Sequence, residues 1–542
     1  MAVTPEQYDF VIVGAGSAGC VVAERLSRSG KHTVLLLEAG REDDSFWMPV
    51  PLGYGKLYND SRYNWMYESE PEEELHNKRL FQPRGKTIGG TSSINGMVYV
   101  RGARHDFDGW RDMGAVGWGF DDVLPYFKRT EDNVLGADDY HNVGGPLPIS
   151  DIPRRPLANS FLAATAEAGY PVNPDFNGPS QEGFGYSQLT VKKGRRWSAA
   201  DAYLHPARRR PNLRVVINAL ADRIAFEGRT ARGVAYLQGS ERRTATAARE
   251  VIVCGGVFNS PQLLQRSGLG PAGLLKDVGV EVLADMPQVG ANLQDHFGAA
   301  LTWRVNKPIT LNDHMNNPLR FFWMAAQYFL LHRGPMASNA GLCQGFIRSS
   351  PELPRPNLAI LMWIWSQAST AQQVNEPVRL QPHPGMTAMV CNSYPESRGT
   401  VRLKNANPHT APEIRFNNLK SETDRRVMID GIRELRRIMS MPAIAEHLDG
   451  EQDPGPVCAS DADLLEHIRR RGRATYHATS TCRMGSDLDA VVDTELRVRG
   501  VANLRVMDAS VMPRVISGNT NAATMMIGEK GSDLVLRDIG AS

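Results

Sequence analysis

The feature that most constrains this chain is a glycine-rich turn between an apolar strand and a helix near its start. Residues 8–13 are mostly apolar, which predicts a buried parallel strand, and residues 14–19 then read G-A-G-S-A-G. Gly14 permits a tight turn, Gly16 lets a pyrophosphate approach the backbone, and Gly19 lets the following helix pack on the strand.

The residues around this turn also predict a binding site for a phosphate group and a side chain that binds a ribose. The N-terminus of the following helix favours a phosphate through its free amide groups and its dipole. A second apolar run ends at Glu38, about 20 residues further on, where an acid accepts hydrogen bonds from a ribose diol. The context favours a dinucleotide site over an ordinary glycine-rich turn, and it leaves NAD and FAD both open.

Length and composition describe a globular protein of several domains. The 542 residues are too many for one core and suggest roughly two to four domains. A net charge of +2 argues against a nucleic-acid partner. The six cysteines form no CxxC pair, so we expect neither disulfide stapling nor structural zinc, and a reducing compartment fits best.

No targeting or spanning segment is expected. Residues 1–7 have neither a basic n-region nor an apolar h-region. The longest apolar run, residues 321–331, is interrupted by Gln327 and is too short to cross a bilayer. We therefore expect a cytoplasmic protein, and peripheral contact with the inner membrane stays open.

A second stretch of small residues lies at positions 84–102. Its Gly85-Lys86-Thr87 resembles the end of a P-loop, but the first glycine of such a loop would fall on Leu80, which excludes it. Rich in backbone amides, the stretch suits close approach to a flat ligand; an ordinary Gly/Ser loop is the alternative.

The rest of the chain predicts two interleaved domains. Strands at 213–217, 221–226, 233–237 and 250–254 suggest a β-meander that returns to the first sheet. A helix N-capped at Asn259 follows, and residues 297–473 have mixed α+β character. A strand at 503–508 and a helix at 522–537 are expected to rejoin the first domain.

Four separated blocks of this sequence resemble the signatures of one family. They are residues 14–19 with Glu38, residues 89–97, residues 256–270, and residues 476–485 with 517–524. The chain is similar to the glucose–methanol–choline (GMC) oxidoreductases, FAD-dependent alcohol oxidases and dehydrogenases, in the family's order over almost its whole length. Val257 and Ser480 depart from the small residue and the glycine that are usual there. The spacing resembles the bacterial branch of choline, medium-chain alcohol and sorbose dehydrogenases.

The resemblance implies a fold with two domains. An α/β FAD-binding Rossmann-like domain would comprise residues 1–154, 200–305 and 475–542. An α+β substrate-binding domain would comprise residues 155–199 and 306–474.

The resemblance also implies that the cofactor is FAD rather than NAD. Glu38 would take the adenosine ribose, the backbone of Ala221 the adenine, and residues 95–98 the isoalloxazine. Some relatives tether FAD through a histidine where this chain has Ile94, so we expect non-covalent FAD. The expected cofactor-binding residues are Gly14, Gly16, Ser17, Ala18, Gly19, Glu38, Ala39, Gly89, Gly90, Thr91, Asn95, Gly96, Met97, Val98, Ala221, Asp508, Ala509, Asn521 and Ala522.

Two residues match the catalytic positions of the family. Oxidising an alcohol requires loss of the hydroxyl proton and transfer of a hydride to flavin N5, and a neutral histidine suits the proton. His477 lies at the position of the base, and Asn519 would orient the substrate oxygen. His296 is expected to be structural. No ligand spacing such as HExxH occurs, so no metal is expected.

The substrate is expected to be a neutral alcohol. Choline dehydrogenases carry a glutamate in a segment that aligns with Leu342, and no acid occurs between positions 337 and 348. Trp363 and Trp365 could offer π-faces to a substrate. A primary alcohol, polyol or sugar is therefore favoured over choline, whose cation would be buried without an anion.

Several alternatives stay open. The electron acceptor could be O₂, a quinone or another carrier, and the oligomeric state is unknown. A lyase that splits cyanohydrins while holding FAD is a rival on the same fold. A non-catalytic flavin protein is disfavoured by the presence of both His477 and Asn519, and a serine hydrolase by the absence of a GxSxG motif.

Overall fold

The first of two seven-stranded sheets is built on the strand that precedes the glycine turn. The structure is a computed structural model that describes residues 6–368 and 379–540. Glu6–Val13 pairs in parallel with Val34–Leu37 on one side and with Glu241–Val253 on the other. Leu213–Val216 extends the parallel edge beside Val34–Leu37. The apolar strand residues are buried, as expected for a parallel sheet covered on both faces.

The remaining strands of this sheet confirm the predicted meander and the predicted return of the C-terminal segment. Ala219–Glu227, Thr230–Gln238 and Glu241–Val253 follow one another as antiparallel neighbours. Leu504–Val506 pairs in parallel with Glu241–Val253, about 250 residues further along the chain. The helix Thr520–Asp538 then packs against Ser17–Ser27, the helix that follows the glycine turn.

The second sheet is antiparallel, and it corrects one predicted boundary. Phe297–Val305 pairs with Gly385–Asn392 and with Leu448–Asp453, so it belongs to this sheet rather than to the first domain, which was expected to continue to residue 305. Eight of its nine residues are buried, and their pairing on both edges fixes that assignment. The strands of this sheet in spatial order are Leu448–Asp453, Phe297–Val305, Gly385–Asn392, Leu358–Trp363, Gly341–Ile347 and Gly183–Tyr186, with Arg473–Ala474 beside Phe297–Val305.

Nine helices of eight or more residues surround the sheets in the described part of the chain. Among those described residues, no helix is long and apolar enough to cross a bilayer. The predicted cap at Asn259 is wrong: the helix begins three residues earlier, and the Asn259 side chain accepts a hydrogen bond from the Tyr67 hydroxyl at 2.6 Å. These helices are Ser17–Ser27, Arg104–Asp112, Phe120–Thr130, Pro156–Glu167, Gly256–Arg266, Pro318–Leu331, Glu422–Met439, Asp461–Arg471 and Thr520–Asp538.

Candidate active site

A cavity of about 740 Å³ extends from the glycine turn to the second sheet. This volume lies within the range of small-molecule and cofactor sites. Its position at the carboxyl ends of the parallel strands is where open α/β sheets bind ligands. Residues from both sheets line its wall, so the cavity joins a nucleotide end to a second end in the antiparallel domain.

The glycine turn is packed so closely that side chains are excluded at two of its positions. A Cβ at Gly19 would lie 1.8 Å from the Gly14 carbonyl oxygen, and one at Gly14 would lie 2.5 Å from the Cys254 carbonyl oxygen. At Gly16 the corresponding space is open, and this residue caps the helix Ser17–Ser27 without a side-chain hydrogen bond. The helix N-terminus therefore keeps free amide groups toward the cavity, as a pyrophosphate requires.

The second glycine stretch rests directly on the first. Gly90 has φ +54°, and a Cβ there would lie 2.7 Å from the Gly16 Cα. The Gly89 amide donates to the Ala15 carbonyl at 2.8 Å. Two backbone loops, brought together from separate parts of the chain, thus form one wall of the cavity.

Glu38 lies at the end of the second parallel strand, as predicted, and borders the cavity. Its two carboxylate oxygens accept hydrogen bonds from the amides of Ala15 and Gly40, both at 2.8 Å. Burial nevertheless raises the pKa of this carboxyl to about 7. A ribose diol would supply further donors to these oxygens.

The C-terminal segment closes the nucleotide end. The Asp508 carboxylate accepts from the Gly256 amide at 2.8 Å and from the Ser260 hydroxyl at 2.6 Å. Ser17 donates its hydroxyl to the Asn521 side-chain oxygen at 2.7 Å. The start of the helix Thr520–Asp538 is therefore tied to the glycine turn across about 500 residues of sequence.

Most of the predicted cofactor residues meet at this cavity. Gly19, Gly89 and Ala522 lie behind its wall, where the first two shape the loops and the third is buried in the C-terminal helix. Those that line it are Gly14, Gly16, Ser17, Ala18, Glu38, Ala39, Gly90, Thr91, Asn95, Gly96, Met97, Val98, Ala221, Asp508, Ala509 and Asn521.

The residues present fit a flavin dinucleotide. Asn339 donates its amide to the Gly96 carbonyl at 2.6 Å, while its side-chain oxygen, buried on the cavity wall, has no partner among the described residues. A buried unpaired acceptor of this kind costs free energy unless a ligand satisfies it. The free helix N-terminus, the paired glycine loops and this orphan acceptor together suit a ligand with phosphates at one end and a polar ring at the other.

The two predicted catalytic residues are in direct contact. The Asn519 side-chain nitrogen lies 2.9 Å from His477 Nε2. Asn519 occupies the N-cap of the C-terminal helix, where an asparagine usually accepts from the helix amides, yet it makes no such bond. Its amide nitrogen instead lies beside the imidazole, and both residues line the cavity.

A second histidine determines which nitrogen of His477 can act as a base. His296 Nε2 lies 2.9 Å from the Ile516 carbonyl, which can only accept, so a proton is on that nitrogen. His296 Nδ1 is then an acceptor, and the Nδ1–H of His477 donates a hydrogen bond to it at 3.0 Å. His477 Nε2 is therefore unprotonated, and it accepts from the Asn519 amide.

Burial keeps both imidazoles neutral. Desolvation lowers the pKa of His296 to about 4, and it holds the pKa of His477 well below the ordinary value, with help from the proximity of His296 and the positive charge of Arg84. Beside them, Asp295 accepts the His477 backbone amide at 2.7 Å, and burial raises the pKa of this carboxyl to about 7.

His296 was expected to be structural, and the structure places it against the candidate base. The signal for this contact is the backbone pairing of Gln294 with Thr479, which brings residues 294–296 beside residues 477–479. That pairing joins parts of the chain about 180 residues apart, so no local pattern predicts it.

The far end of the cavity is mostly apolar and aromatic. Trp363 and Trp365, the residues expected to offer π-faces to a substrate, line it together with Tyr54 and Tyr58. Leu342 does not: it packs in the core of the second domain, whereas its neighbours Gly341 and Cys343 line the wall. Successive side chains of a strand point to opposite faces, so a shift of one residue in the strand moves a side chain from the cavity to the core.

Charged residues on the cavity wall are unevenly distributed. Among the described residues, the only acids on the wall are Glu38 and Asp508, both at the nucleotide end. Lys56, Arg84 and Arg473 add positive charge. In residues 6–368 and 379–540, no group of three or more histidine, cysteine or acidic side chains is arranged to hold a metal ion.

Comparison with known proteins connects this geometry to a family. The GMC oxidoreductase family profile matches residues 8–298 and 395–528. The chain is 40% identical over 543 residues to an alcohol dehydrogenase [acceptor] of Pseudomonas putida, covering 98% of this chain and 96% of the relative. It is 41% identical over 541 residues to an oxygen-dependent choline dehydrogenase of Vibrio vulnificus, covering 98% and 94%.

Solved structures agree over the whole chain. Pyridoxine 4-oxidase from Mesorbium loti superposes with a TM-score of 0.87 at 30% identity, covering 97% of this chain and 98% of that one. A variant of formate oxidase from Aspergillus oryzae superposes with a TM-score of 0.92 at 27% identity, covering 99% of each chain. The chain therefore belongs to the GMC oxidoreductases, FAD-dependent enzymes that act on the CH–OH group of their donors.

Proposed function

We propose that this enzyme oxidises a neutral alcohol to an aldehyde or ketone, with His477 as the base that takes the hydroxyl proton. The observation that carries the proposal is the series of contacts from the Ile516 carbonyl through His296 to His477, which leaves Nε2 of His477 unprotonated beside the Asn519 amide at the cavity wall. A neutral imidazole next to a hydrogen-bond donor can hold a hydroxyl group from both sides.

In the proposed reaction, the O–H bond breaks and its proton goes to His477 Nε2. The Asn519 amide donates to the substrate oxygen and stabilises the negative charge that develops there. The C–H bond then releases a hydride, the C–O bond gains double-bond character, and the product leaves as a carbonyl compound. FAD, when bound, supplies N5 as the hydride acceptor.

Proton transfer turns His477 into a cation, and the residues behind it can stabilise that cation. Its Nδ1–H already donates to His296 Nδ1. The proton of His296 is on Nε2, which donates to the Ile516 carbonyl. The Asp295 carboxylate accepts the His477 backbone amide. That hydrogen bond fixes the backbone from which the imidazole projects.

The charge distribution of the cavity supports a neutral substrate. Trp363, Trp365, Tyr54 and Tyr58 offer apolar and aromatic area, while the nearest acids on the wall lie at the nucleotide end. Burial of a quaternary ammonium is favourable only where an anion or a full aromatic cage compensates its lost hydration. A primary alcohol, a polyol or a sugar has no such requirement.

The first prediction compares choline with its neutral isostere, 3,3-dimethylbutan-1-ol. The two have the same shape, so the ratio of their kcat/KM values isolates the effect of the positive charge. We expect the neutral alcohol to be preferred. A preference for choline of about tenfold or more, which corresponds to about 1.4 kcal/mol, would support the choline activity for which several relatives are named.

The second prediction concerns the attachment of FAD, which we propose is non-covalent. Ile94 occupies the position at which some relatives carry a tethering histidine, and it is fully buried in a small apolar cluster with Met48, Leu57 and Tyr63. Acid precipitation should release all of the yellow colour into the supernatant. Colour that stays with the pellet would show a covalent bond through another side chain.

The physiological electron acceptor is proposed to be a carrier such as a quinone rather than O₂. The support is the relative named alcohol dehydrogenase [acceptor], which is 40% identical over nearly the whole chain. Reoxidation of the substrate-reduced enzyme should be faster with a soluble quinone than with air-saturated buffer. Faster reoxidation by O₂ would identify an alcohol oxidase.

A further inference from the structure

The helix Pro318–Leu331, here called the outer helix, presents its apolar face to solvent. Leu319, Phe322, Trp323 and Leu330 are 82%, 71%, 64% and 79% exposed. Their spacing places them on one side of the helix. A surface helix of a globular protein normally turns its polar side outward, so this arrangement is the reverse of the usual one.

The opposite side of the outer helix is fixed in the protein. Met324 and Tyr328 are buried in a cluster with Leu311 and Met336, and the Tyr328 hydroxyl donates to the Pro49 carbonyl at 3.0 Å. The helix is therefore anchored through one side. The apolar side chains on the other side are therefore exposed although the helix itself is firmly packed.

The exposed surface continues beyond the helix. Phe46, from a distant loop, is 63% exposed and stacks on Phe329 with ring centroids 5.4 Å apart. Such contiguous apolar area marks an interaction site rather than scattered surface residues. The surface, here called the outer patch, consists of Phe46, Leu319, Phe322, Trp323, Phe329, Leu330 and Leu331.

Positive charge surrounds the outer patch. Arg320 and Arg333 lie on and just after the outer helix, and both are exposed. A hairpin at residues 191–196 touches the end of the helix, since a Cβ on its Gly194 would lie 2.0 Å from the His332 carbonyl oxygen. This hairpin adds the exposed Lys192, Lys193 and Arg195.

These cations have no acidic counterpart nearby in sequence or in the described structure. No acid occurs between Asp313 and Glu352. Within residues 6–368 and 379–540, none of the five basic side chains forms an ion pair. Asp44, two residues before Phe46 along the chain, is already paired with Arg41 at 3.2 Å.

We propose that the outer patch docks on the surface of an anionic phospholipid bilayer. Helices that bind such a surface carry exposed Phe, Trp and Leu side chains surrounded by Lys and Arg. The apolar side chains enter the boundary between headgroups and acyl chains, and the cations contact lipid phosphates. Basic residues near an anionic leaflet add an electrostatic attraction that salt screens. A second copy of the chain fits less well, because a symmetric contact would bring the five cations against one another.

Docking in this way would place lipid next to the substrate end of the cavity. Leu311 packs in the same cluster as Met324 and Tyr328, and it also lines the cavity. Trp365, two residues after the strand Leu358–Trp363, also packs against this cluster and lines the cavity. One layer of side chains thus separates the outer helix from the far end of the cavity.

Vesicle flotation of the FAD-loaded enzyme tests the proposal. The probes are vesicles of phosphatidylcholine alone and vesicles with about a third phosphatidylglycerol. The test variant replaces Phe322, Trp323 and Leu330 with serine. A matched control replaces Val457 and Leu488, which are 89% and 93% exposed outside the patch, with serine.

The wild-type enzyme should float with the anionic vesicles, and about 1 M NaCl should weaken the association by screening the basic rim. The control should match it, whereas the test variant should bind at least about tenfold more weakly. Normal FAD content and unchanged flavin reduction by a water-soluble alcohol will show that the variant is folded.

Three results would overturn the proposal. They are the failure of the wild-type enzyme to float, equal flotation on both kinds of vesicle, and undiminished flotation of the serine variant. A wild-type oligomer that does not float, but that the serine substitutions convert to a monomer, would assign the outer patch to contact between copies.

Discussion

At the scale of single residues, the site depends on where protons are held rather than on unusual side chains. The Ile516 carbonyl fixes a proton on His296, which in turn leaves the cavity-facing nitrogen of His477 unprotonated. A backbone group thereby selects the tautomer of the base through one intervening ring. Metal-binding histidines are oriented by their second ring nitrogen in the same way.

The third prediction tests His296 as a positioning residue. His296→Gln can still donate to the Ile516 carbonyl and accept from His477, whereas His296→Leu can do neither. We expect flavin reduction to slow by roughly 10–100-fold in the leucine variant and much less in the glutamine variant. KM and FAD content should change little in either variant.

The pH profile supplies a second readout of the same residue. Burial holds the pKa of His477 well below its ordinary value, so the base stays neutral as the pH falls through 6.5. Wild-type kcat/KM should therefore decline only at more acidic pH. A decline at or above pH 6.5, or a leucine variant with the wild-type rate and profile, would contradict this assignment.

At the scale of elements, the contact between the two glycine loops is the least replaceable part of the cofactor site. It is made by backbone alone, so any side chain at Gly90 must move the Gly16 loop. Glycine at position 90 is therefore a packing requirement and not only a conformational one.

The fourth prediction separates these two requirements. Gly90→Ala and Gly228→Ala both place a side chain at a positive φ, +54° and +57°, but only Gly90 faces backbone within 4 Å. Both variants should lose about 1–2 kcal/mol of stability from the left-handed conformation. Only Gly90→Ala should also lose FAD, measured as bound flavin per chain. Equal FAD retention in the two variants would show that the loops can separate without cost to the cofactor.

Elements and motifs were predictable wherever the signal is local. The glycine turn, the position of Glu38, the meander and the existence of a C-terminal strand all follow from runs of apolar residues and turn residues. The start of the helix at Gly256 was missed because Asn259 has the identity of a cap while its side chain is used by Tyr67.

Features that depend on long-range pairing were not predictable. His296 gains its position from a bridge between residues 294 and 479, and Phe297–Val305 joins the second sheet through partners about 90 and 150 residues away. The apolar run at 321–331 was visible, but its outward orientation depends on which side packs on the cluster around Leu311. Which side of a strand or helix is buried cannot be predicted without knowing the element that packs against it.

At the scale of the whole molecule, two domains cooperate because neither contains a complete site. The first sheet supplies the anion-binding turn, and the second supplies the wall against which a substrate would rest. The proposed catalytic pair comes from the C-terminal segment, which returns from the second sheet to the first. Because the cavity spans both domains, enzymes of this family can share the cofactor end and differ at the substrate end.

The central claim is that this site removes a proton and a hydride from an alcohol, and anaerobic flavin reduction tests it most directly. Mixing the oxidised enzyme with aliphatic and aromatic alcohols, polyols, sugars and choline should bleach the flavin with at least one of them. His477→Ala should slow that bleaching roughly 10²–10⁴-fold with FAD content unchanged, and Asn519→Ala should slow it less. Absence of bleaching with every alcohol would favour a lyase or a binding protein, and wild-type bleaching by His477→Ala would contradict the assignment of the base.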